Sequence, residues 1–291
     1  MTVSVATLEP TIMIAVPTIN LNDGHTIPQL GFGVWQVPDG AVTQAVLTAF
    51  EAGYRSIDTA QGYGNEPGVG KAIAASGLPR EQLFITSKLR PRDQGYDATL
   101  KSFMGTLDRL GLDYLDLFLI HWPVPKHDRY SDTWKAFVQL QRDGRIRSIG
   151  VSNFLPEHLD RIIGDSGVTP AVNQIELHPQ FQQRDVRDVH ARQGIHIESY
   201  SPLGSGNGLL GNAVIAEIAK KHGRSPAQVI LRWHLQQDLI VIPKSAHADR
   251  IASNIAVFDF KLDEDDMAKI AQLDRPDGKI GSDPAVNNSL W

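Results

Sequence analysis

The amino-acid sequence predicts an α/β protein built as a (β/α)8 barrel of parallel strands, the TIM-barrel type. Eight short apolar runs of strand length alternate with stretches of helix length between Gly31 and Pro243. In such a barrel the strand interiors fill a packed core, whereas the carboxyl ends of the strands open onto loops that can hold a ligand. Most of the runs end on a polar residue capable of chemistry: Asp58, Lys88, His121, Asn153, Gln174, Tyr200 and Lys244. The pattern therefore predicts an active site at the carboxyl mouth.

A β-hairpin is expected before the barrel. In the segment Thr18–Ile27, apolar residues flank Asn22-Asp23-Gly24, and an Asp-Gly pair supplies the positive φ angles of a tight turn. We expect this hairpin to plug the amino end of the barrel. Residues 1–17 contain a short apolar stretch with no basic segment before it, which predicts a flexible N-terminal extension rather than a secretion signal.

Strands and helices then alternate along the chain. The predicted strands are 31–34, 55–58, 83–88, 115–121, 146–153, 171–176, 195–200 and 239–243. The stretches between them repeat apolar residues at helical spacing. The first such face is formed by Val42, Ala45, Val46, Ala49 and Phe50.

The later helices have clear start signals. Ser225 followed by Pro226 is typical of a helix N-terminus, and Asp263 is placed to cap an additional C-terminal helix. No linker or repeat interrupts the pattern, so we predict one domain over 18–291 with a mobile C-terminal tail. An open sheet with helices on both faces would show the same local pattern, but the absence of a dinucleotide fingerprint after the first strand favours the closed barrel.

The composition of the chain argues against several classes of function. The 291 residues have a formal net charge of −5, which gives no basic surface for nucleic acid. No run of about 18 apolar residues indicates a transmembrane helix. The chain has no cysteine, hence no disulfide and no thiolate nucleophile, and this suits a reducing cytoplasm.

Four ionisable residues are expected to converge at the mouth. Asp58 ends one strand and Tyr63 follows five residues later, while Lys88 and His121 end the next two strands. Asp58 can hold Lys88 by a buried ion pair, and an ammonium group near a phenol lowers the phenol pKa. Such a tyrosine could donate a proton to a carbonyl oxygen as hydride arrives at the carbon, with the histidine N–H orienting that oxygen.

Each of these residues also has an ordinary structural interpretation. Taken alone, Tyr63 would be a packing residue, Lys88 a salt-bridge partner at the barrel end and His121 a satisfied core histidine. Their joint placement at consecutive strand ends favours a catalytic role.

Several ordered motifs carry a resemblance to a known family. They are Gly53–Ala60 through Tyr63–Glu66, Ser87-Lys88, Leu119–Trp122, Gly150–Asn153, Asn173–Glu176, Ser201–Gly204 and Ile242–Ser245. With these motifs the chain resembles the aldo-keto reductase superfamily, in particular the prokaryotic branch that includes 2,5-diketo-D-gluconate reductases. The resemblance implies a monomeric barrel that binds NADP(H) and reduces aldehydes or ketones with a tetrad of Asp58, Tyr63 as proton donor, Lys88 and His121.

The same resemblance implies where the cofactor binds. Ser152, Asn153 and Gln174 would hydrogen-bond the nicotinamide amide, and the ring of Tyr200 would stack on the nicotinamide. An alternative for Gln174 is a polar layer inside the barrel. The phosphates would lie in the loops after the last two strands, where barrels commonly bind them. Those loops contribute Ser201, Leu203, Gly204, Ser205, Lys244, Ser245, Arg250 and Asn254.

The two cations in these loops favour NADP(H) over NAD(H), because Lys244 and Arg250 can neutralise a 2′-phosphate. One Gly-x-Gly-x-x-Gly match starts at Gly206, but it begins several residues past its strand, which makes a Rossmann site improbable. Glu176 and His178 alone are a weak set of metal ligands, so no metal site is predicted.

The substrate pocket should lie over the nicotinamide, with Trp35, Trp122 and Trp291 as its aromatic walls. Arg90 replaces the tryptophan that related enzymes commonly have two residues after the tetrad lysine. An arginine at this rim could favour an anionic substrate, although a surface arginine is the more frequent outcome.

Two other functions fit parts of the pattern. A nucleotide-sensing binding protein of the same fold would keep the cofactor site but act through a partner. A Schiff-base aldolase would use Lys88 or Lys244 as its nucleophile. The complete tetrad favours the reductase, which would act on a small-molecule carbonyl substrate.

Overall fold

The computed structural model describes residues 15–291. It begins with an antiparallel hairpin of β1 (Thr18–Asn20) and β2 (Thr26–Pro28), joined by the predicted turn. Leu21 and Ile27 of the hairpin pack against the interior residues Leu117 and Leu119. The hairpin therefore closes one end of the barrel, as predicted, while most of the predicted N-terminal extension, residues 1–14, lies outside the described part.

Eight parallel strands form the barrel, and they agree with the eight predicted runs. They are β3 (Phe32–Gly33), β4 (Ser56–Asp58), β5 (Phe84–Leu89), β6 (Leu115–Ile120), β7 (Ile146–Ser152), β8 (Val172–Glu176), β9 (His196–Tyr200) and β10 (Ile240–Val241). Each strand pairs with its neighbour in sequence from β3 to β10. Parallel bridges from Leu30 to Val241 and from Gly33 to Lys244 join the two ends of the sheet, so the barrel is closed.

Helices follow the strands and cover the outside of the barrel. They are α1 (Asp39–Glu51), α2 (Glu66–Ala75), α3 (Tyr96–Leu110), α4 (Tyr130–Arg142), α5 (Pro156–Ser166), α6 (Arg184–Gln193), α7 (Ala213–His222), α8 (Pro226–Leu235), α9 (Ala248–Ile255) and α10 (Glu264–Ala271). Two of them stand outside the strand–helix alternation: α10, the predicted additional C-terminal helix, and α7, which lies between β9 and α8.

The predicted helix caps are present. The Ser225 side chain accepts a hydrogen bond from the Gln228 amide and starts α8 with Pro226 at its first turn. Asp263 caps α10 in the same way through the Asp266 amide. Within residues 15–291 the helices are all too short or too polar to cross a bilayer.

Candidate active site

The four residues predicted to act together do meet at the carboxyl mouth. Asp58 is the last residue of β4, Lys88 lies near the end of β5, and His121 directly follows β6. Tyr63 reaches them from a 3-10 turn, Gln61–Tyr63, just after β4. Because the strands are parallel and in register, their carboxyl ends bring these side chains to one place.

Lys88 organises the group. Its Nζ donates hydrogen bonds to Asp58 Oδ1 at 2.5 Å, to the Thr59 carbonyl at 3.0 Å and to Tyr63 Oη at 3.3 Å. An ammonium group has three protons, so all of them are used. Lys88 is fully buried and Asp58 almost so, which makes this an ion pair sealed from solvent.

The Tyr63 hydroxyl can donate its proton to a ligand. Its oxygen accepts from Lys88, so its own O–H can point to another acceptor. Burial raises the pKa of Tyr63, Lys88 opposes this, and Asp58 adds to it, with a net upward shift. Lys88 lowers the pKa of Tyr63, as the sequence predicted, but burial outweighs this effect. Tyr63 is therefore protonated at neutral pH, as a general acid must be.

His121 faces Tyr63 and is neutral. The two rings meet edge to face with centroids 5.7 Å apart. Burial, followed by the charge of Lys88, lowers the pKa of His121 well below its ordinary value of 6.5. The buried Nδ1 has no hydrogen-bond partner within residues 15–291. A proton on Nδ1 would have no acceptor there, so the neutral ring is favoured over the doubly protonated one.

Four of the predicted nicotinamide-binding residues form one connected network beside the tetrad. Ser152 Oγ donates to the Gln174 carbonyl at 2.8 Å, and Asn153 Nδ2 donates to Ser152 Oγ at 3.0 Å and to the His121 carbonyl at 3.1 Å. The Tyr200 hydroxyl donates to Asn153 Oδ1 at 2.8 Å. Asn153 takes a left-handed conformation with φ of 62°, a strained geometry that is common at functional sites.

The predicted phosphate loops lie at the same mouth. After β9, Ser201, Gly204 and Ser205 have φ of 49°, 75° and 44°, and Ser205 Oγ donates to Ser201 Oγ at 2.8 Å. Leu203 is half-buried between them. Successive left-handed residues turn backbone amides toward one side, an arrangement suited to anions.

The predicted cations follow β10. Lys244 and Arg250 are exposed, and neither is in a salt bridge with another residue of the described chain. Ser245 and Asn254 are buried beside them, with Ser245 Oγ accepting from the His247 amide at 3.1 Å. Two exposed cations next to an amide-rich loop fit a phosphorylated cofactor.

The C-terminal tail crosses the site and brings Trp291 onto His121. The two rings meet edge to face with centroids 4.9 Å apart. Gly62 permits this approach, because a Cβ there would lie only 2.2 Å from the Trp291 ring. The main-chain amide of Lys126 fixes the tail nearby by donating to Asn288 Oδ1 at 2.7 Å.

The other predicted pocket residues differ in how they are placed. Trp35 is exposed and Trp122 half-buried at the loops after β3 and β6. The Arg90 guanidinium donates to Asp93 Oδ2 at 2.8 Å, so its charge is already balanced by a neighbour. This local pairing favours the ordinary interpretation of Arg90 as a surface salt-bridge residue.

Comparison with known proteins agrees with this geometry. The model of the Aldo/keto reductase family matches residues 29–275. This chain belongs to the aldo/keto reductase family. It is 56% identical over 273 residues to an aldo-keto reductase of Mycolicibacterium smegmatis, covering 94% of this chain and 98% of the relative. It is 51% identical to the methylglyoxal reductase DkgA of Salmonella typhimurium, covering 93% of this chain and 98% of that protein.

Solved structures of the aldo/keto reductase family share the fold. A crystal structure of a Gox0644 mutant in complex with NADPH matches with a TM-score of 0.91 and 50% sequence identity, and the match covers 94% of this chain and 99% of that one. The predicted family is confirmed, and with it the barrel.

Sequence reasoning missed one buried carboxyl group of this aldo/keto reductase and the hydrogen-bond partners of a second. Glu198 lies inside the barrel on β9 and bonds Gln174. Glu176, considered only as a weak metal ligand, instead holds the tail: its two oxygens accept from the amides of Ile280 at 2.6 Å and Gly281 at 2.7 Å. The sequence did not single out Glu198, because β9 also carries the polar residues His196, Ser199 and Tyr200.

Proposed function

We propose that this chain reduces small aldehydes and ketones to alcohols with NADPH, and that Tyr63 is the proton donor. The observation that carries the proposal is the chain of contacts from Asp58 through Lys88 to the Tyr63 hydroxyl, which faces a neutral His121. A protonated phenol beside a neutral imidazole is suited to a carbonyl oxygen that gains negative charge.

The protein residues have separate tasks in this scheme. NADPH, when bound, supplies the hydride. Tyr63 transfers its proton to the substrate oxygen, and Lys88 stabilises the phenolate that remains through the hydrogen bond it already makes. A His121 N–H donates to the same substrate oxygen and orients it. Asp58 keeps the ammonium in place, so the geometry is ready before substrate arrives.

The mouth offers a matching set of cofactor contacts. Ser152, Asn153 and Gln174 are proposed to bind the nicotinamide amide, and the ring of Tyr200 to stack on the nicotinamide. The loops after β9 and β10 offer their amides and cations to the phosphates through Ser201, Leu203, Gly204, Ser205, Lys244, Ser245, Arg250 and Asn254. The NADPH-bound structure of a 50% identical relative supports this cofactor.

The substrate is proposed to be a small carbonyl compound. Trp291 covers His121, and Trp35 and Trp122 lie on the loops after β3 and β6, so we infer a pocket with an aromatic wall and a polar centre. A relative named methylglyoxal reductase supports a small dicarbonyl as one substrate. We infer a monomeric, cytoplasmic enzyme with one domain over 18–291 and a mobile tail, and the absence of cysteine supports the location.

A Schiff-base aldolase is disfavoured by the state of Lys88. Burial alone would lower its pKa, but Asp58 and Tyr63 outweigh burial and raise it. A protonated amine with all three protons in hydrogen bonds has no lone pair for attack on a carbonyl.

The test is NADPH oxidation measured with a panel of aldehydes and ketones, methylglyoxal among them. A reductase turns over several members of the panel, whereas a nucleotide sensor binds NADPH with negligible turnover. Borohydride added with a ketone donor leaves no covalent adduct on a reductase, and an adduct on Lys88 or Lys244 would show the aldolase.

Cofactor choice is tested by Arg250→Met. The KM for NADPH should rise about tenfold through loss of a charge-assisted phosphate contact, while the KM for NADH stays unchanged. Arg192→Met, on α6, is the matched control and should alter neither value. An equal rise for both cofactors in Arg250→Met would contradict a 2′-phosphate contact.

A further inference from the structure

The barrel contains a second carboxyl group beside the tetrad. Glu198 is 1% exposed on β9, and the strand register places it next to Gln174 of β8. Gln174 in turn neighbours Ser152 of β7. Residues at matching positions of adjacent parallel strands point to the same side, so these three side chains share the interior of the mouth.

Gln174 bridges the two carboxyl groups. Its Nε2 donates to Asp58 Oδ2 at 2.8 Å and to Glu198 Oε2 at 2.6 Å. An amide nitrogen carries two protons, and both are used here. The amide oxygen is then the one remaining polar atom of that side chain that can bond a ligand.

This arrangement fixes which way the amide faces. A free glutamine amide can turn over and exchange its oxygen with its nitrogen, since the two ends have similar shape. The Asp58 carboxylate, paired with Lys88, offers only acceptor oxygens, so the reversed amide would set its own oxygen against the carboxylate. That repulsion, in a buried place with low dielectric, removes the reversed orientation.

Glu198 can accept from the Gln174 amide without adding a second negative charge beside the Asp58–Lys88 ion pair. Burial, then the charge of Asp58, raises the pKa of Glu198 to about 8, against the weaker opposing effects of Gln174 and Lys88. At neutral pH it is therefore mostly protonated, and Asp58 and Lys88 balance each other. A neutral carboxyl still accepts a hydrogen bond from Gln174 through its oxygen.

We propose that Glu198 is a positioning residue: together with Asp58 it holds the Gln174 amide so that its oxygen accepts from the carboxamide NH2 of the nicotinamide. This rests on the proposed role of Gln174 in cofactor binding. Glu198 acts through Gln174, and the expected effect is on cofactor affinity.

The experiment measures the Kd for NADPH by fluorescence, without carbonyl substrate. Glu198→Met removes the acceptor at similar size and should raise Kd about 5- to 30-fold. Glu198→Gln is the neutral analogue of the protonated acid and retains an acceptor, so its Kd should stay within about threefold of the original.

A double-mutant cycle separates this inference from the proposed function. If Glu198 acts through Gln174, the double variant Glu198→Met with Gln174→Ala binds NADPH as weakly as Gln174→Ala alone. A wild-type Kd in Glu198→Met, or additive losses in the double variant, overturns the role of Glu198 while the role of Gln174 stands. A wild-type Kd in Gln174→Ala overturns both. Should Glu198→Met fail to fold, Glu198→Ser, which is too short to reach Gln174, takes its place.

Discussion

Two buried aspartates, one at each end of the barrel strands, make ion pairs that serve different purposes. Asp116, near the amino end of β6, accepts from Arg80 at 2.6 Å, Arg147 at 3.2 Å and the Ile85 amide at 2.9 Å. Both guanidiniums also pack on the ring of Tyr114, and each is partly open to solvent. None of these contacts reaches a residue of the tetrad, so the cluster has a structural role.

Asp58, at the carboxyl end of β4, belongs to a pair that is closed to solvent and linked to a reactive group. Its partner Lys88 donates one of its three hydrogen bonds to the Tyr63 hydroxyl, and the Tyr63 ring contacts His121. A buried ion pair is weak evidence for stability, since desolvation offsets the attraction. The two pairs differ in the partners of their remaining hydrogen bonds, and those partners indicate whether a buried ion pair serves structure or chemistry.

Replacement of Lys88 should distinguish the two ion pairs. Lys88→Met should lower kcat about 10³-fold by leaving the phenolate without its cation, and should lower the free energy of unfolding by about 3–5 kcal/mol by leaving Asp58 unpaired. Steady-state kinetics and urea unfolding measure the two effects.

Arg80→Met is the matched control at the other end. It removes one partner of a buried aspartate, but Arg147 and the Ile85 amide remain. The free energy of unfolding should fall by about 1–3 kcal/mol with kcat unchanged. A fall in kcat similar to that of Lys88→Met would remove the distinction between the two ends.

The second effect is on the pH dependence of reduction. The active form carries a protonated Tyr63 and a neutral His121. Since the pKa of Tyr63 is raised, kcat should fall only as pH rises through a value above 10. Since the pKa of His121 lies well below 6.5, no loss from its protonation is expected as pH falls from 8 to 6.5. A kcat profile from about pH 5 to about pH 10 tests both statements.

The Tyr54→Phe variant is the control for the dependence of kcat on pH. Tyr54 is another buried tyrosine with a raised pKa, but its hydroxyl donates to the Ile251 carbonyl, away from the mouth. Its removal should leave the profile unchanged. A loss of kcat in the wild type between pH 7 and pH 6 would contradict a neutral, buried His121.

The sequence predicted the barrel well because its signals are local. The turn Asn22-Asp23-Gly24, the cap at Ser225 and the eight apolar runs each depend on a few neighbouring residues. The convergence of Asp58, Lys88 and His121 followed from parallel strand order alone. The sequence therefore predicted which of these side chains meet at the mouth.

What the sequence did not reveal depends on contacts between distant segments. The net pKa shift of Tyr63 follows from how much of the phenol is buried, which the chain order does not state. Glu198 became visible only when the register placed it beside Gln174. The path of the tail depends on Glu176 accepting from Ile280 and Gly281, over 100 residues away.

The smallest expected effect concerns that tail. Trp291→Ala should raise the KM for an apolar aldehyde about fivefold, because a half-exposed indole contributes about 1 kcal/mol of contact, while kcat changes little. Val286→Ala, at a residue of the same tail that is 71% exposed, is the control and should leave KM unchanged. A KM in Trp291→Ala that equals the KM of the wild type and of Val286→Ala would show that Trp291 is not part of the substrate wall.

The role of Tyr63 as the proton donor is tested by single-turnover hydride transfer in Tyr63→Phe, with Tyr54→Phe as the control. We expect NADPH binding within about twofold of the wild type, an unchanged free energy of unfolding and a transfer rate lower by about 10²- to 10⁴-fold. Transfer at the wild-type rate in Tyr63→Phe, with Tyr54→Phe also unchanged, would contradict the assignment of the Tyr63 hydroxyl as the acid.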